Sequence, residues 1–321
     1  MLQNKKIAAV IPTFRVLAQI ETVLKRIPEY FDMIYVVDDK CDQGSGKFVQ
    51  EHIMDSRVKV LFHEVNQGVG GAVITGYKQA IIDQMDVVVK IDGDNQMDPY
   101  LAEKFILPIV NGDADYTKGN RFFNLSDVAD MPKVRFFGNI ALSFLTKASS
   151  GYWKIFDPTN GYTAISVKVL KMLALDKIQK RYFFESDILF RLNMISAKVL
   201  DVPMVAVYGD EVSNLKISKI FFPFLKGNLS NFSKRIFYKY FLQDFNVASV
   251  ELVFGTVMSL FGILFGLYNW IANAINNIET PTGTIMISAL FILVGIHLLL
   301  SFISYDVNNY PTESISKNLD E

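Results

Sequence analysis

Cysteine occurs once in this chain, at Cys41, so no internal disulfide framework is available. Histidine is nearly as scarce: His52, His63 and His297 are too scattered to form an ordinary zinc site. Basic charge is not in excess either. The 32 Lys and Arg residues meet 33 Asp and Glu, a net charge of −1, which argues against a generic nucleic-acid binder. Charged residues make up only 20% of the chain, against about a quarter in soluble domains. Half the residues are hydrophobic and the mean hydropathy is +0.24, so a membrane portion is expected in a protein of a reducing compartment. The first apolar run, within MLQNKKIAAVIPTF, is too short for a signal peptide and reads as a first strand. The 321 residues allow one large domain or two small ones with a full core.

The hydrophobicity is concentrated near the end. Leu252–Ile275 and Ile285–Tyr305 contain no Asp, Glu, Lys or Arg, and each is long enough to span a bilayer, which takes about 20 apolar residues. The polar link Asn276–Thr284, with Pro281 and Gly283, predicts a tight hairpin. Lys216, Lys219, Lys226, Lys234, Arg235 and Lys239 precede the first span, whereas the link carries only Glu279. Basic residues collect on the cytoplasmic side, which puts residues 1–246 and the tail 306–321 in the cytoplasm. Ile217–Phe245 mixes aromatic and aliphatic residues with those basic side chains, a composition suited to helices in the headgroup layer. In the first span, Gly262 and Gly266 stand four apart and form a shallow groove for another helix. The groove suits either the second span of the same chain or another protomer; a contact between protomers is the expectation.

Before the spans, Ile7–Ile11, Met33–Val37, Val58–Phe62 and Val87–Ile91 are short, β-branched, nearly continuous apolar runs. Helix-period segments separate them, such as Val16, Ile20, Val23, Leu24 and Ile27. That alternation predicts an α/β domain with a mostly parallel sheet covered on both faces. The expected organisation is an α/β domain over 1–215, interfacial helices over 216–246, a transmembrane hairpin over 247–305 and a tail.

Ligands of open α/β sheets sit beyond the carboxyl ends of the strands. Two predicted strands end in carboxylates, one at Asp38-Asp39 and the other at Asp92-Gly93-Asp94-Asn95-Gln96. Acidic side chains flanking a glycine can share a divalent cation, and oxygen-only ligands favour magnesium or manganese. Solvated turns also read D-G-D; the buried strand before this one favours the metal. Asn66-Gln67-Gly68-Val69-Gly70-Gly71 resembles a dinucleotide loop only superficially, because its spacing is not G-x-G-x-x-G and it follows the third strand. A helix start that needs glycines for close backbone approach suits it equally well.

Taken together, Ile11-Pro12-Thr13-Phe14, Val37-Asp38-Asp39, Asn66-x-Gly68-x-Gly70, Asp92-x-Asp94-x-Gln96, Gly119-Asn120-Arg121 and Glu185-Ser186-Asp187 occur in the order of the family 2 glycosyltransferases. More narrowly, the chain resembles the polyprenyl-phosphate glycosyltransferases, including those with a two-helix anchor. The resemblance implies a GT-A-type nucleotide-sugar-binding domain and an inverting transfer of a sugar, from a UDP-sugar by preference, to polyprenyl phosphate. It implies that Pro12 and Thr13 line the nucleotide pocket with Asp39 near the base, and that Asn66 and Gly68 belong to the donor site. Asp92, Asp94 and Gln96 would hold Mg2+ or Mn2+. Arg121, Arg135 and Asn139 would contact the lipid phosphate, Asp157 would face the sugar, and Glu185 and Asp187 would lie on the acceptor side. Ser213 and Lys216 match a Ser-Lys pair there, and homo-oligomers are expected. Three departures stand out: Arg15 replaces a usual Glu, Val69 a usual Lys, and an arginine usual before the Ser-Lys pair is missing.

A lipid phosphate oxygen is already ionised near neutral pH, so this chemistry needs positioning and charge neutralisation more than a general base. Two spans cannot enclose the channel of a processive polysaccharide synthase. A nicotinamide-dependent oxidoreductase lacks its fingerprint here. A non-enzymatic scaffold would have no need of both strand-end carboxylates and Gln96; a transferase of the same fold acting on another membrane lipid or glycan is the remaining alternative.

Overall fold

The computed structural model describes residues 2–121, 133–204 and 217–319, without the side chains of residues 133–139, 217–220 and 318. The four apolar runs become β1 (Ile7–Thr13), β2 (Met33–Asp38), β3 (Val58–Phe62) and β4 (Val87–Lys90). They pair in parallel in the order β3-β2-β1-β4. Beyond β4 the sheet continues through β6 (Thr163–Ser166), β5 (Tyr116–Asn120) and β7 (Val199–Pro203). β6 runs antiparallel to both β4 and β5, and β5 pairs with β7 in parallel.

Alternation along the strands gives the sheet two apolar faces. Ala8, Val10, Tyr35 and Val37 pack against Ala72, Val73, Tyr77 and Ala80 of α3 (Val69–Ile82). Ile7, Ala9, Ile11, Ile34 and Val36 pack on the other face against α1 (Ile20–Lys25) and α4 (Ala102–Val110). Full burial of an aliphatic side chain contributes about 1.5–3 kcal/mol, so sandwiching the sheet between helices is the main source of its stability. α2 (Ser45–His52), α5 (Lys133–Ser150), α6 (Val167–Met172) and α7 (Phe184–Met194) complete the layers.

By internal contacts the chain divides into one unit of Met1–Ser233 with Pro311–Glu321, and another of Lys234–Tyr310. In the first unit, α8 (Ile217–Phe237) turns Phe224, Asn228 and Asn231 inward. Ser149 Oγ donates to Asn228 Oδ1 at 2.6 Å, and Asn231 Nδ2 donates to Asp187 Oδ1 at 2.9 Å. Phe222, Leu229 and Phe232 are left exposed. The C-terminal residues of this unit close on Asp115, wholly buried before β5. Its carboxylate accepts from Lys198 N (2.8 Å), Ser314 Oγ (2.8 Å), Ile315 N (3.0 Å) and Ser316 N (2.8 Å), the last two in α11 (Ile315–Asn318).

The second unit holds α9 (Val247–Ile275) and α10 (Thr282–Asn308), both long and apolar enough to cross a membrane. Asn246 and Ser249 form a capping box that satisfies the free amides at the start of α9. The expectation for the Gly262–Gly266 groove is overturned, because the groove is filled from within the chain. A Cβ on Gly262 would lie 2.8 Å from Ile292 Cγ1 and 2.9 Å from Ser288 O, and one on Gly266 would strike Ser288 Oγ. Ser288 Oγ also donates to Gly262 O at 2.8 Å. Close backbone approach is what small residues offer two helices in lipid, and here the second span takes it. Among the described residues, Arg235 alone departs from the expectation that the basic residues before the first span lie among lipid headgroups. It is wholly buried, with Nη1 and Nη2 2.6 and 2.9 Å from the Asp306 oxygens, and Tyr240 OH donates to the same carboxylate.

Candidate active site

The carboxyl ends of β1, β2 and β4 bring three loops together, because β1 lies between the other two. Thr13 is buried at the end of β1, Pro12 is half-buried, and Thr13 O accepts from Asp39 N at 3.0 Å. After β4 the chain bends at Asn95, which has a φ of 62°, leaving Asp92, Asp94 and Gln96 half-buried. Asp94 Oδ1 accepts from Gln96 N at 3.1 Å. Arg26, at the end of α1, braces this bend by donating to Asn95 Oδ1 (3.0 Å) and Asp98 Oδ1 (2.8 Å).

The oxygens at this bend suit a hard divalent cation. Among the described residues no group of three or more His, Cys, Asp and Glu side chains is gathered for a metal. Magnesium-type sites commonly take one or two carboxylates and leave the other positions to substrate phosphates and water. Asp92, Asp94 and the Gln96 amide oxygen fit that partial set.

Asp39 organises the loop after β3. Its carboxylate, 3% exposed, accepts from Gln67 N and Gly68 N at 2.7 Å each and lies 2.8 Å from His63 Nδ1. Asn66 Nδ2 donates to the Asp39 carbonyl at 3.0 Å. The glycines of this loop serve close approach: Gly68 has a φ of 85°, and a Cβ there would lie 2.8 Å from Lys180 O. A Cβ on Gly70 would lie 2.7 Å from Phe184 Cβ. Asp39, Asn66 and Gly68 thus come together in one hydrogen-bonded loop.

On the other flank Arg121 and Asp157 form a pair. Arg121 Nε is 2.7 Å and Nη2 3.2 Å from the wholly buried Asp157 carboxylate. Glu185, in the first turn of α7, points to Lys90 Nζ at 3.5 Å, and the same ammonium lies 2.8 Å from Asp92 Oδ1. Asp187 does not join them. It is 2% exposed and is taken up by Gln179 N, Arg191 Nε and Asn231 Nδ2, so its place is structural; its acidic position at a helix start gave no sign of this. Arg135 and Asn139 lie on the first turns of α5, and their side chains are outside the described residues, as are Ser213 and Lys216 altogether.

Three charged residues that motif reading passed over lie beneath the site. Lys90 and Lys118 are wholly buried. Burial alone would push the Lys90 ammonium down, but the Asp92 and Glu185 carboxylates hold it above its ordinary value. Lys118 donates to Asn160 O, and burial brings its pKa down to about 8. Burial pushes Asp201 up to about 6, although Phe156 N donates to it at 2.7 Å. No spacing rule announces a buried lysine within a strand.

The family described as "Glycosyl transferase family 2" matches residues 8–173. The chain is 30% identical over 223 residues to UDP-N-acetylglucosamine--dolichyl-phosphate N-acetylglucosaminyltransferase of Methanococcus voltae, covering 65% of this chain and 88% of that one. It is 27% identical over 208 residues to undecaprenyl-phosphate mannosyltransferase of Micrococcus luteus, covering 63% and 84%. Its fold is similar to that of glucosyl-3-phosphoglycerate synthase from Mycobacterium tuberculosis, solved with Mn2+, UDP and phosphoglyceric acid. That match has a TM-score of 0.54 at 16% identity over 72% of this chain and 78% of the other. The strand-end loops and the seven-stranded GT-A-like sheet agree with these matches: the chain belongs to glycosyl transferase family 2 and is a glycosyltransferase.

Proposed function

We propose that this enzyme moves a sugar from a nucleotide sugar, a UDP-sugar by preference, to polyprenyl phosphate. We place residues 1–246 on the cytoplasmic side of a membrane, with α8 at the headgroup layer. The observation that carries this reading is the coupling, in one chain, of the strand-end carboxylate loop to two apolar helices long enough to cross a bilayer. Relatives named for dolichyl and undecaprenyl phosphate support it. A lipid-bound phosphate lies at the headgroup plane, so an enzyme acting on it gains from an anchor.

In this mechanism an oxygen of the lipid phosphate forms a bond to the anomeric carbon. The bond from that carbon to the nucleoside diphosphate breaks with its electron pair, and attack from the opposite face inverts the centre. Asp92, Asp94 and Gln96 would hold the cation, which supplies Lewis-acid neutralisation of the departing diphosphate. Pro12 and Thr13 border the nucleotide. Arg121 and Arg135 orient the lipid phosphate by charge-assisted hydrogen bonds. Asp157 sets the direction of the Arg121 fork, and Glu185 borders the acceptor.

The test is to incubate the detergent-solubilised protein with Mn2+, undecaprenyl or dolichyl phosphate and radiolabelled nucleotide sugars in turn. The expected result is an organic-soluble labelled lipid from one donor. Donor hydrolysis without labelled lipid across the whole panel would overturn the proposed acceptor.

A further inference from the structure

Lys90 ends β4 and Lys118 lies in β5, the two strands that flank β6. Their ammoniums reach consecutive carbonyls of the segment that leads into β6. Lys118 donates to Asn160 O, and Lys90 donates to Gly161 O at 3.1 Å. This segment carries Asp157. Only Lys90 also touches carboxylates on both sides of the site, Asp92 at 2.8 Å and Glu185 at 3.5 Å. The fit is close: a Cβ on Gly161 would lie 2.5 Å from Lys90 Nζ and 2.9 Å from Asp92 Oδ2. For folding alone, an apolar side chain could fill the floor of the sheet at lower desolvation cost than an ammonium. The charge is therefore placed for what surrounds it.

We propose that Lys90 is a positioning residue that ties the donor-side carboxylate Asp92 and the acceptor-side carboxylate Glu185 to one ammonium, fixing both against the loop that bears Asp157. The inference rests on the function proposed above. It has a consequence for the metal. An ammonium beside Asp92 repels a divalent cation on the same carboxylate, so Lys90 weakens cation binding while it holds Asp92 in orientation. Orientation and affinity are thereby opposed at Asp92.

The experiment compares the full-length wild type, Lys90→Met, Glu185→Gln and the double variant in detergent. Binding of Mn2+ alone is read from the free-ion electron paramagnetic resonance signal, and transfer is read from labelled lipid. Lys90→Met is expected to bind Mn2+ about threefold or more tightly, because a repelling charge is gone. Its kcat for transfer should fall by about tenfold or more, with the KM for lipid phosphate raised. Glu185→Gln should leave Mn2+ binding within about twofold and raise the lipid-phosphate KM, and the double variant should lose no more turnover than Lys90→Met. Unchanged Mn2+ binding and kinetics in Lys90→Met would overturn the proposal, as would weakened Mn2+ binding or additive losses in the double variant. If Lys90→Met does not fold, an unchanged lipid-phosphate KM in Glu185→Gln overturns it. A wild type that yields no labelled lipid defeats the proposed function instead, and the Mn2+ titration still decides whether Lys90 opposes the cation at Asp92.

Discussion

Arg121 closes a two-point fork on Asp157, with Nε 2.7 Å from one oxygen and Nη2 3.2 Å from the other, although Asp157 has no exposed surface and Arg121 is about a third exposed. The pair joins the end of β5 to the loop before β6, so the residue proposed to greet the acceptor phosphate is oriented before any substrate arrives. Arg121→Ala strands a buried carboxylate and should lower stability by about 1–3 kcal/mol. Arg121→Ala combined with Asp157→Asn should recover part of the melting temperature and none of the transfer activity. Thermal unfolding and a labelled-lipid assay on the same preparations check both. An Arg121→Ala protein with wild-type melting and kinetics would show that the fork carries neither role.

Asp94 and Asp92 should separate when each is replaced. Asp94→Asn should cut transfer by about a hundredfold or more, since a metal supplies several kcal/mol of charge stabilisation, and should leave the melting temperature nearly unchanged. Asp92→Asn should lose activity and stability together, because it leaves Lys90 without its nearest carboxylate. Chelation by EDTA should abolish transfer in the wild type, and Mn2+ should restore it. Wild-type turnover in Asp94→Asn would remove it from the metal set.

Asp201 makes stability depend on pH. Its folded pKa is raised by burial to about 6, so the folded state binds the proton more tightly than the unfolded chain. That stabilisation is complete below the unfolded carboxylate value and is lost as pH rises through about 6. Between pH 4 and pH 7 the wild type should lose about 2 kcal/mol relative to Asp201→Asn, which has no such titration. Denaturant unfolding at the two pH values measures this. An equal pH response in the two proteins would count against the buried-carboxylate account.

Gly262→Leu should act on the hairpin itself. The leucine would meet Ile292 and the Ser288 carbonyl of the second span, so the melting temperature should fall while the particle mass stays the same. Light scattering coupled to size-exclusion chromatography and a thermal scan test it. A smaller particle at unchanged stability would return the groove to a contact between protomers.

The sequence disclosed the strands that carry the donor-side loops, because β1, β2 and β4 are buried on both faces and read as apolar runs. It hid β5. Tyr116-Thr117-Lys118-Gly119-Asn120 has no such run, yet all five residues are buried, with Thr117 donating to Phe105 O of α4 and Lys118 to Asn160 O before β6, partners that only the finished fold brings near. Among the candidate site residues, Asp92 and Asp94 were visible because they follow a recognisable strand. The acidic residues Asp39 and Asp187 were equally visible, but their partners, Gly68 N and Asn231 Nδ2, lie far along the chain and cannot be read from local spacing. The Gly262–Gly266 groove showed that a helix would approach closely, and nothing in its spacing said which helix.

The bonds from Ser314, Ile315 and Ser316 to Asp115 make the apolar hairpin an insertion within the catalytic domain rather than an appendage after it. A protein cut at residue 233 to remove the spans would therefore also discard part of its own interior, leaving Asp115 with three donors missing. A soluble enzyme is better sought by splicing: a short flexible bridge in place of residues 234–310 would keep the last segment in covalent reach of its docking place. Chain order and domain order part company here, and engineering that treats the end of the sequence as dispensable would be working against the fold.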